Sequence, residues 1–158
     1  MASSSSAQVS TGDTGDHDTP SGSLAAPDLR SLTSLNPLRG RVFAIHATAF
    51  FHLFGEEKQL QLARALAGLL SPEPGSMIFG AHIGVPEKGF EPSFMHRDHR
   101  RMWCHSPESW TELWDGLVFE KGVVEVQTKL VHVERKMLQP DAPQNATLTI
   151  LVWLVTRL

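Results

Sequence analysis

The stretch Val42–Phe54, VFAIHATAFFHLF, decides the fold of this chain. Its first residues are β-branched and aromatic on both alternating faces, which is typical of a strand covered on both sides within a parallel sheet. The last five residues of the stretch are expected to form the turn that leaves this strand. From Gly55 onward the spacing changes, because leucines recur at helical intervals as far as Leu70. The pattern therefore predicts a strand followed by a helix.

Three further segments complete the predicted sheet. Ser71–Gly75, SPEPG, ends the helix, and the apolar run Met77–Ile83 predicts a second buried strand. Strand, helix and strand joined by short connections form a βαβ unit with parallel strands. Val123–Glu134 alternates like a strand with a change of face near Leu130, and Leu148–Thr156 is apolar on both faces like an interior strand.

The region between the second and third strands predicts a loop and a helix. Gly84–Cys104 contains prolines, glycines and charges without periodicity, which predicts a long loop. Ser106 and Pro107 are residue types that begin a helix. The apolar residues that follow at helical spacing are Trp110, Leu113, Trp114 and Leu117. This spacing predicts that the two tryptophans belong to the core.

Composition restricts the classes of partner and compartment. The chain has 158 residues, with 14 Lys plus Arg against 17 Asp plus Glu, and a formal net charge of -3. Such a chain has no basic surplus for phosphate contacts, so nucleic acid is not an expected partner. No apolar run approaches the ~20 residues of a membrane span, and the first residues lack a secretory signal. With one cysteine, which excludes an internal disulfide, these features predict a cytoplasmic protein.

The domain organisation is predicted to be simple. Residues 1–27 are rich in Ser, Thr, Gly and Asp and carry no aromatic residue, so they are expected to form a disordered tail. Residues 28–158 are expected to form one folded domain, since they are numerous enough for a modest core.

Four segments resemble the fungal class I S-adenosylmethionine-dependent methyltransferases of secondary metabolism, of the meroterpenoid and polyketide type. They are AIHATAFFHLF from Ala44, LLSPEPGSMIFG from Leu69, WCHSPESW from Trp103, and the closing LVWLVTRL. The resemblance runs from about Arg39 to Leu158 in the same order. It implies an α/β fold with a Rossmann-like sheet whose last strand is antiparallel.

The resemblance covers only the C-terminal half of that family. It implies that the strands beginning at Val42, Met77, Val123 and Leu148 correspond to strands four to seven of the family, so that the sheet is truncated. The family's glycine-rich cofactor turn is expected to be missing, because the early glycines make no GxGxxG that opens a helix. The Val42 strand then becomes a sheet edge. An exposed apolar edge predicts either poor solubility or a homo- or hetero-oligomer that covers it.

Ligands bind at the carboxyl ends of strands in open α/β sheets, which draws attention to the residues from His46 to His52. The family resemblance implies S-adenosyl-L-methionine as the cofactor and a small-molecule acceptor. His52 is the candidate base, since a neutral imidazole can take an acceptor proton near pH 7. The candidate cofactor-binding residues are His46, Ala47, Thr48, Phe50 and Phe51. The alternative is that the histidines pair with buried backbone groups and the phenylalanines belong to the core.

A second group of candidates lies farther along the chain. His82, at the end of the second buried strand, either contacts the acceptor or has a structural role. By resemblance the loop before Ser106 lies near the acceptor, so Met102, Trp103 and His105 are candidate substrate-binding residues. His96, His99, Cys104 and His105 have zinc-ligand types, but their spacing matches no usual zinc site, and no metal is predicted.

Three functions therefore remain open at this stage. The first is a methyltransferase of small molecules that methylates oxygen, without the glycine-rich part of its cofactor site. The second is a non-catalytic protein that pairs with a partner through the sheet edge. The third is a zinc-binding module built on the His and Cys loop.

Overall fold

The computed structural model of the chain describes residues 27–95, 101–134 and 147–158. The predicted disordered tail lies outside the described residues except for its last residue, and so do His96 and His99. The strands are β1 (Ala44–His46), β2 (Met77–Ile83), β3 (Gly89–Met95), β4 (Arg101–Cys104), β5 (Val124–Glu134) and β6 (Thr147–Arg157). The helices are α1 (Glu56–Leu69) and α2 (Pro107–Trp114), with short 3-10 helices at Asn36–Leu38 and Phe51–Leu53.

Four strands form a mixed sheet in the order β1-β2-β6-β5. The predicted βαβ unit is confirmed, because β1 and β2 are parallel and α1 joins them. β6 is antiparallel to both of its neighbours and lies inside the sheet, as the sequence and the resemblance predict. The fold is therefore a mixed α/β structure compatible with a methyltransferase, and the numbering of its strands as four to seven stays a prediction.

The first strand is shorter and more exposed than the sequence predicts. β1 has three residues, and Ala44 and His46 are exposed. It pairs with β2 on one side, and no other described strand pairs with its second side. Just before β1, Val42 pairs with Leu70 on that second side. Among the described strands β1 therefore lies at the edge of the sheet, whereas the prediction that this strand is covered on both faces is wrong for the described residues.

A β-hairpin replaces most of the predicted long loop. β3 and β4 are antiparallel, with Phe90 opposite Trp103 and Gly89 opposite Cys104. The loop prediction is therefore wrong for these two strands. Pro92 lies within β3, where the register shifts between Phe90 and Met95. A proline is tolerated at such an irregularity. In the sequence alone, however, a proline argues against a strand, which is why β3 was not predicted.

The second helix begins where the sequence predicts but ends earlier. Ser106 caps it, since its side chain accepts a hydrogen bond from the Ser109 N–H while the Ser109 hydroxyl accepts from the Ser106 N–H. The helix ends at Trp114, and Leu117 is 58% exposed rather than part of the predicted apolar stripe. The predicted burial of the two tryptophans is confirmed, because both are fully buried.

The core lies between the two helices and one face of the sheet. Trp110 and Trp114 of α2 and Ala63 of α1 pack with sheet residues such as Ile78 and Val155. A second, smaller apolar cluster includes residues from β2, β4 and β6. Its buried members are Ile83, Val85, Met102, Cys104 and Leu148.

The second cluster explains the change of face predicted in β5. The pairing of β5 with β6 continues residue by residue from Val124 to Glu134, so no bulge turns the strand. Val133, near its end, packs against the second cluster, whereas Val126 and Leu130 pack against the main core. The strand thus meets apolar neighbours on opposite faces at its two ends.

Among the described helices, none has the length and apolar character needed to cross a membrane.

Candidate functional site

An open cleft of about 1050 Å³ lies where the chain leaves β1. One wall is the 3-10 helix Phe51–Leu53 with the first turn of α1, and the other wall is the β3–β4 hairpin. The lining residues are His52, Leu53, Phe54, Gly55, Glu56, Glu57, Lys58, Phe90, Arg101, Met102 and Trp103. The cleft therefore sits on the side of the sheet where open α/β folds bind ligands.

The chain reaches this cleft along β2. The Ala47 N–H donates to the Phe79 carbonyl at 2.9 Å, and the Ala49 N–H donates to the Ala81 carbonyl at 2.8 Å. This close approach requires Gly80, because a β-carbon there would overlap the Ala47 carbonyl. Ala49 has φ of 54°, in the left-handed region that residues other than glycine seldom occupy. The backbone thus turns sharply at Ala49 into the 3-10 helix.

Phe51 fixes the position of the 3-10 helix. Its side chain is fully buried, and its ring meets the rings of Trp110 at 4.8 Å and Trp153 at 5.8 Å, both edge to face. Such aromatic pairs add to the stabilisation from burial. Because Phe51 is held in the core, its neighbour His52 is directed to the boundary between core and cleft. Its Nδ1 atom is buried, and the residue lines the cleft.

A buried glutamine joins the two walls. The Gln59 side-chain amide donates to the Phe54 carbonyl at 2.8 Å and to the Trp103 carbonyl at 3.1 Å. The residue is fully buried on the inner face of α1. It therefore holds the hairpin against the beginning of α1 and sets the width of the cleft.

The cleft carries charges of both signs above an aromatic surface. The Arg101 guanidinium lies 4.9 Å from the centre of the Phe90 ring, and that ring meets the Trp103 ring edge to face at 5.3 Å. On the opposite wall Glu56 forms an exposed ion pair with Lys88 at 3.5 Å. Exposed pairs of this kind contribute little stability. The apolar and charged groups together suit a ligand with a flat apolar body and polar ends.

Two histidines are buried beneath the site and remain neutral. His82 is 2% exposed, and its Nδ1 accepts a hydrogen bond from the Trp153 indole at 2.9 Å, which leaves its proton on Nε2. Burial, followed by the nearby His52 and His105, lowers the pKa of His82 from 6.5 to about 3.

His105 has a similar environment. Its Nδ1 lies 2.9 Å from the Ser109 hydroxyl within the cap of α2. Burial lowers the pKa of His105 from 6.5 to about 4, while Glu56 raises it and Lys88 lowers it by smaller amounts. The residue borders a separate cavity of about 270 Å³ between the helices.

The structure brings some of the predicted site residues together and separates others. His52, Met102 and Trp103 line the cleft, whereas His82 and His105 do not. His46, Thr48 and Phe50 are exposed along the exit from β1, and the Thr48 hydroxyl lies 2.6 Å from the His46 Nε2 atom. Ala47 and Phe51 are buried. The roles assigned to all ten residues stay predictions.

Several cleft residues escaped the sequence analysis. Phe90 and Arg101 belong to the hairpin that the sequence presents as a loop, and their proximity depends on strand pairing. Glu56 and Glu57 lie in the first turn of α1, where acidic residues are common for helix stability alone. Gln59 carried no signal at all, because a glutamine within an amphipathic helix reads as a solvent-facing residue.

The described residues contain no group of three or more metal-ligand side chains that could hold an ion. Cys104 is buried in the second apolar cluster. Burial, with a smaller contribution from Glu91, raises the pKa of the Cys104 thiol to about 12, so the thiolate that binds metals is disfavoured. His96 and His99 of the proposed zinc loop lie outside the described residues.

Comparison with known proteins points to methyltransferases. No family model matches the chain. It is 32% identical over 111 residues to the O-methyltransferase phiE of Fungal sp. (strain ATCC 74256), a match that covers 68% of this chain and 36% of the relative. It is 32% identical over 88 residues to the Asnovolin E/Chermesin D methyltransferase nvfJ of Aspergillus novofumigatus (strain IBT 16806), covering 56% and 31%.

A third relative is the methyltransferase ausD of Penicillium brasilianum, 28% identical over 106 residues, which cover 66% of this chain and 37% of the relative. The resemblance to fungal methyltransferases of secondary metabolism is thereby confirmed. The chain spans about a third of the length of the curated relatives that it matches.

Proposed function

We propose that this chain, a relative of the fungal methyltransferases of secondary metabolism, takes part in the S-adenosylmethionine-dependent O-methylation of a small molecule. The observation that carries the proposal is the cleft beside β1, in which His52 faces the aromatic wall of the hairpin. The chain spans about a third of the length of these relatives.

The exit from β1 offers groups that suit a nucleoside cofactor. His46 and Thr48 present an imidazole and a hydroxyl that lie within hydrogen-bond distance of each other, and Phe50 presents an aromatic ring that is 36% exposed. Hydrogen-bonding groups of this kind fit ribose hydroxyls, and an aromatic ring fits a base or a sulfonium cation. We assign these three residues to direct contact, while Ala47 and Phe51 support them from the core. When bound, S-adenosylmethionine supplies an electrophilic methyl group on a positively charged sulfur.

His52 is proposed to receive the acceptor proton. Its imidazole would take the proton of the acceptor hydroxyl, while S-adenosylmethionine, when bound, would supply the methyl group that the acceptor oxygen receives. Such general-base assistance contributes about 100-fold or more to a rate. The same residue also orients the acceptor oxygen, which is the larger requirement in an in-line displacement.

The hairpin wall is proposed to hold the acceptor. Met102 and Trp103 provide an apolar surface, and Phe90 and Arg101 extend it toward solvent. His82 and His105 are proposed to act indirectly, as neutral buried groups that support His52 and the cap of α2. Burying the acceptor against this wall would displace water from the reacting oxygen.

Calorimetric titration with S-adenosylhomocysteine tests cofactor binding. The proposal predicts heat and a stoichiometry near one, which should be lost when Thr48→Val removes the hydroxyl but retained in Thr128→Val on the distant β5. Absence of heat up to about 1 mM ligand, which corresponds to only about -4 kcal/mol, would contradict cofactor binding by this chain.

A transfer assay tests the role of His52. Asnovolin E, which one relative's name mentions, is the first acceptor to try, followed by hydroxylated polyketides. We expect His52→Gln to lower kcat by about 100-fold, while the exposed His132→Gln retains the wild-type rate. Equal rates in the two variants would remove His52 from the reaction.

A second candidate function is a non-catalytic subunit that binds a partner through its sheet edge. The second side of β1, with which no other described strand pairs, favours it. The two functions are separated by the titration above, because a purely structural subunit has no reason to bind S-adenosylhomocysteine.

A further inference from the structure

The Trp103 side chain forms part of the hairpin wall of the cleft, and its N–H group is buried without a hydrogen bond to any described residue. An indole N–H can only donate, so a buried one without an acceptor is left unsatisfied. The ring itself meets the Phe90 ring edge to face at 5.3 Å. The observed position of Trp103 therefore satisfies its ring but not its N–H group.

A complementary hydrogen-bond acceptor lies on the neighbouring helix. The Oε1 atom of Gln59 is also buried without a hydrogen-bond partner among the described residues. The amide cannot be turned around, because its nitrogen donates to the Phe54 and Trp103 carbonyls, and an oxygen in that place would face two acceptors. Since Oε1 is bonded to the same carbon as this nitrogen, it lies at the same junction between α1 and β4. The unsatisfied donor and the unsatisfied acceptor thus belong to two residues that already touch.

The backbone of β4 is anchored, so the movable part of this wall is the Trp103 side chain. Met102 and Cys104, on either side of Trp103 in the sequence, are buried in the second apolar cluster. Their side chains leave the strand on the face opposite to that of Trp103. Phe90, against which the indole rests, is 48% exposed. A ring held by an exposed neighbour changes its position more readily than a ring inside a close-packed core.

We propose that Gln59 is a positioning residue for the hairpin wall, because its Oε1 atom accepts a hydrogen bond from the Trp103 indole in a second position of that side chain. In the first position, which the structure shows, the indole rests against Phe90 with its N–H unbonded. In the second position the ring turns toward α1 and the bond forms. One aromatic contact is exchanged for one buried hydrogen bond. The two are of similar strength, so both positions are populated.

The second position changes the surface that the hairpin wall offers to a ligand. A flat molecule that stacks on Phe90 takes the place of the indole against that ring. It therefore favours the position in which Trp103 is bonded to Gln59, because a ligand shifts an equilibrium toward the state that it contacts better. This consequence rests on the proposed function, whereas the two positions of Trp103 do not.

Hydrogen exchange of the Trp103 indole N–H, followed by NMR on the ligand-free chain, tests the two positions. The exchange rate averages over both positions however fast they interconvert. Phe90→Leu removes the ring that holds the first position, so it should slow the exchange about threefold or more by raising the bonded fraction. The matched control Phe43→Leu, at an exposed ring beside β1, should leave the rate unchanged.

Gln59→Met shows whether the glutamine is the hydrogen-bond acceptor. Methionine is flexible enough to fill the same space but offers only a weak acceptor. When Phe90→Leu is combined with Gln59→Met, we therefore expect no slowing of the exchange. The slowing should persist when Phe90→Leu is combined with Gln61→Met, because Gln61 is exposed on the same helix.

A merely structural role for Gln59 makes a different prediction. Losing its bonds to the two carbonyls would loosen the wall and speed the exchange, but Phe90→Leu alone would not slow it. An unchanged or faster rate in Phe90→Leu therefore overturns the proposal, even if Gln59→Met fails to fold. Slowing that persists with Gln59→Met overturns it too. No ligand is present, so these outcomes are separate from a failure of methyl transfer.

Discussion

Acidification from pH 7 to pH 5 should destabilise the fold through His82 and His105. Burial lowers their pKa values from 6.5 to about 3 and about 4, so both stay neutral in the folded chain at pH 5. The unfolded chain binds a proton at each site once the pH falls below 6.5, and stability therefore falls with falling pH. Each site lowers the free energy of unfolding by about 1.4 kcal/mol per pH unit below 6.5, or by about 2 kcal/mol at pH 5.

The sum for both sites is about 4 kcal/mol, a large share of the roughly 5–15 kcal/mol that stabilises a typical domain. Urea unfolding at pH 7 and pH 5, followed by tryptophan fluorescence, measures it. His82→Gln should reduce by about half the difference in the free energy of unfolding between pH 7 and pH 5, because one of the two protonation sites is gone. The exposed His132→Gln should leave the difference unchanged.

Two results would refute this reasoning. One is a wild-type difference below about 1 kcal/mol, which would mean that the buried imidazoles accept protons without unfolding. The other is an equal reduction in both variants, which would show that the effect does not depend on burial. Absolute stabilities of the variants do not decide the matter, since His82→Gln also removes the bond from Trp153.

Three substitutions test the local packing by urea unfolding. Gly80→Ala should lower the free energy of unfolding by about 3 kcal/mol or more, because the added methyl group would overlap a backbone carbonyl. Gly55→Ala adds a methyl group in open space and should lower it by less than about 1 kcal/mol. Gln59→Leu should cost about 2 kcal/mol, because two backbone carbonyls lose their donor, and a value near zero would mean that water replaces the amide. Ser106→Ala should cost about 1 kcal/mol through loss of the cap, while the exposed Ser34→Ala should be neutral.

The regular elements followed from sequence because local rules determine them. The βαβ unit and the capped helix at Ser106 depend on periodicity and on cap chemistry, which neighbours in sequence supply. The interior position of β6 followed from its apolar residues on both faces. These features need no knowledge of which strand pairs with which.

The walls of the cleft could not be predicted from the sequence, because they depend on contacts between distant segments. Arg101 lies close to Phe90 only because β3 and β4 pair. The sequence did not predict this pairing, because Pro92 interrupts the strand pattern of β3. Because His82 lies at the end of a predicted strand, the sequence made it a candidate contact for the acceptor. Its burial against Trp153 arises from the pairing of β2 with β6, which periodicity does not specify.

The most direct test of the proposed site is an amide and indole NMR titration of the chain with S-adenosylhomocysteine. The account predicts that shifts concentrate at Thr48, His52 and the Trp103 indole, while the fully buried Trp114 indole and the β5 edge stay unchanged. Shifts confined to β5, or none at all up to about 1 mM ligand, would contradict the claim that the cleft beside β1 is a methyltransferase site.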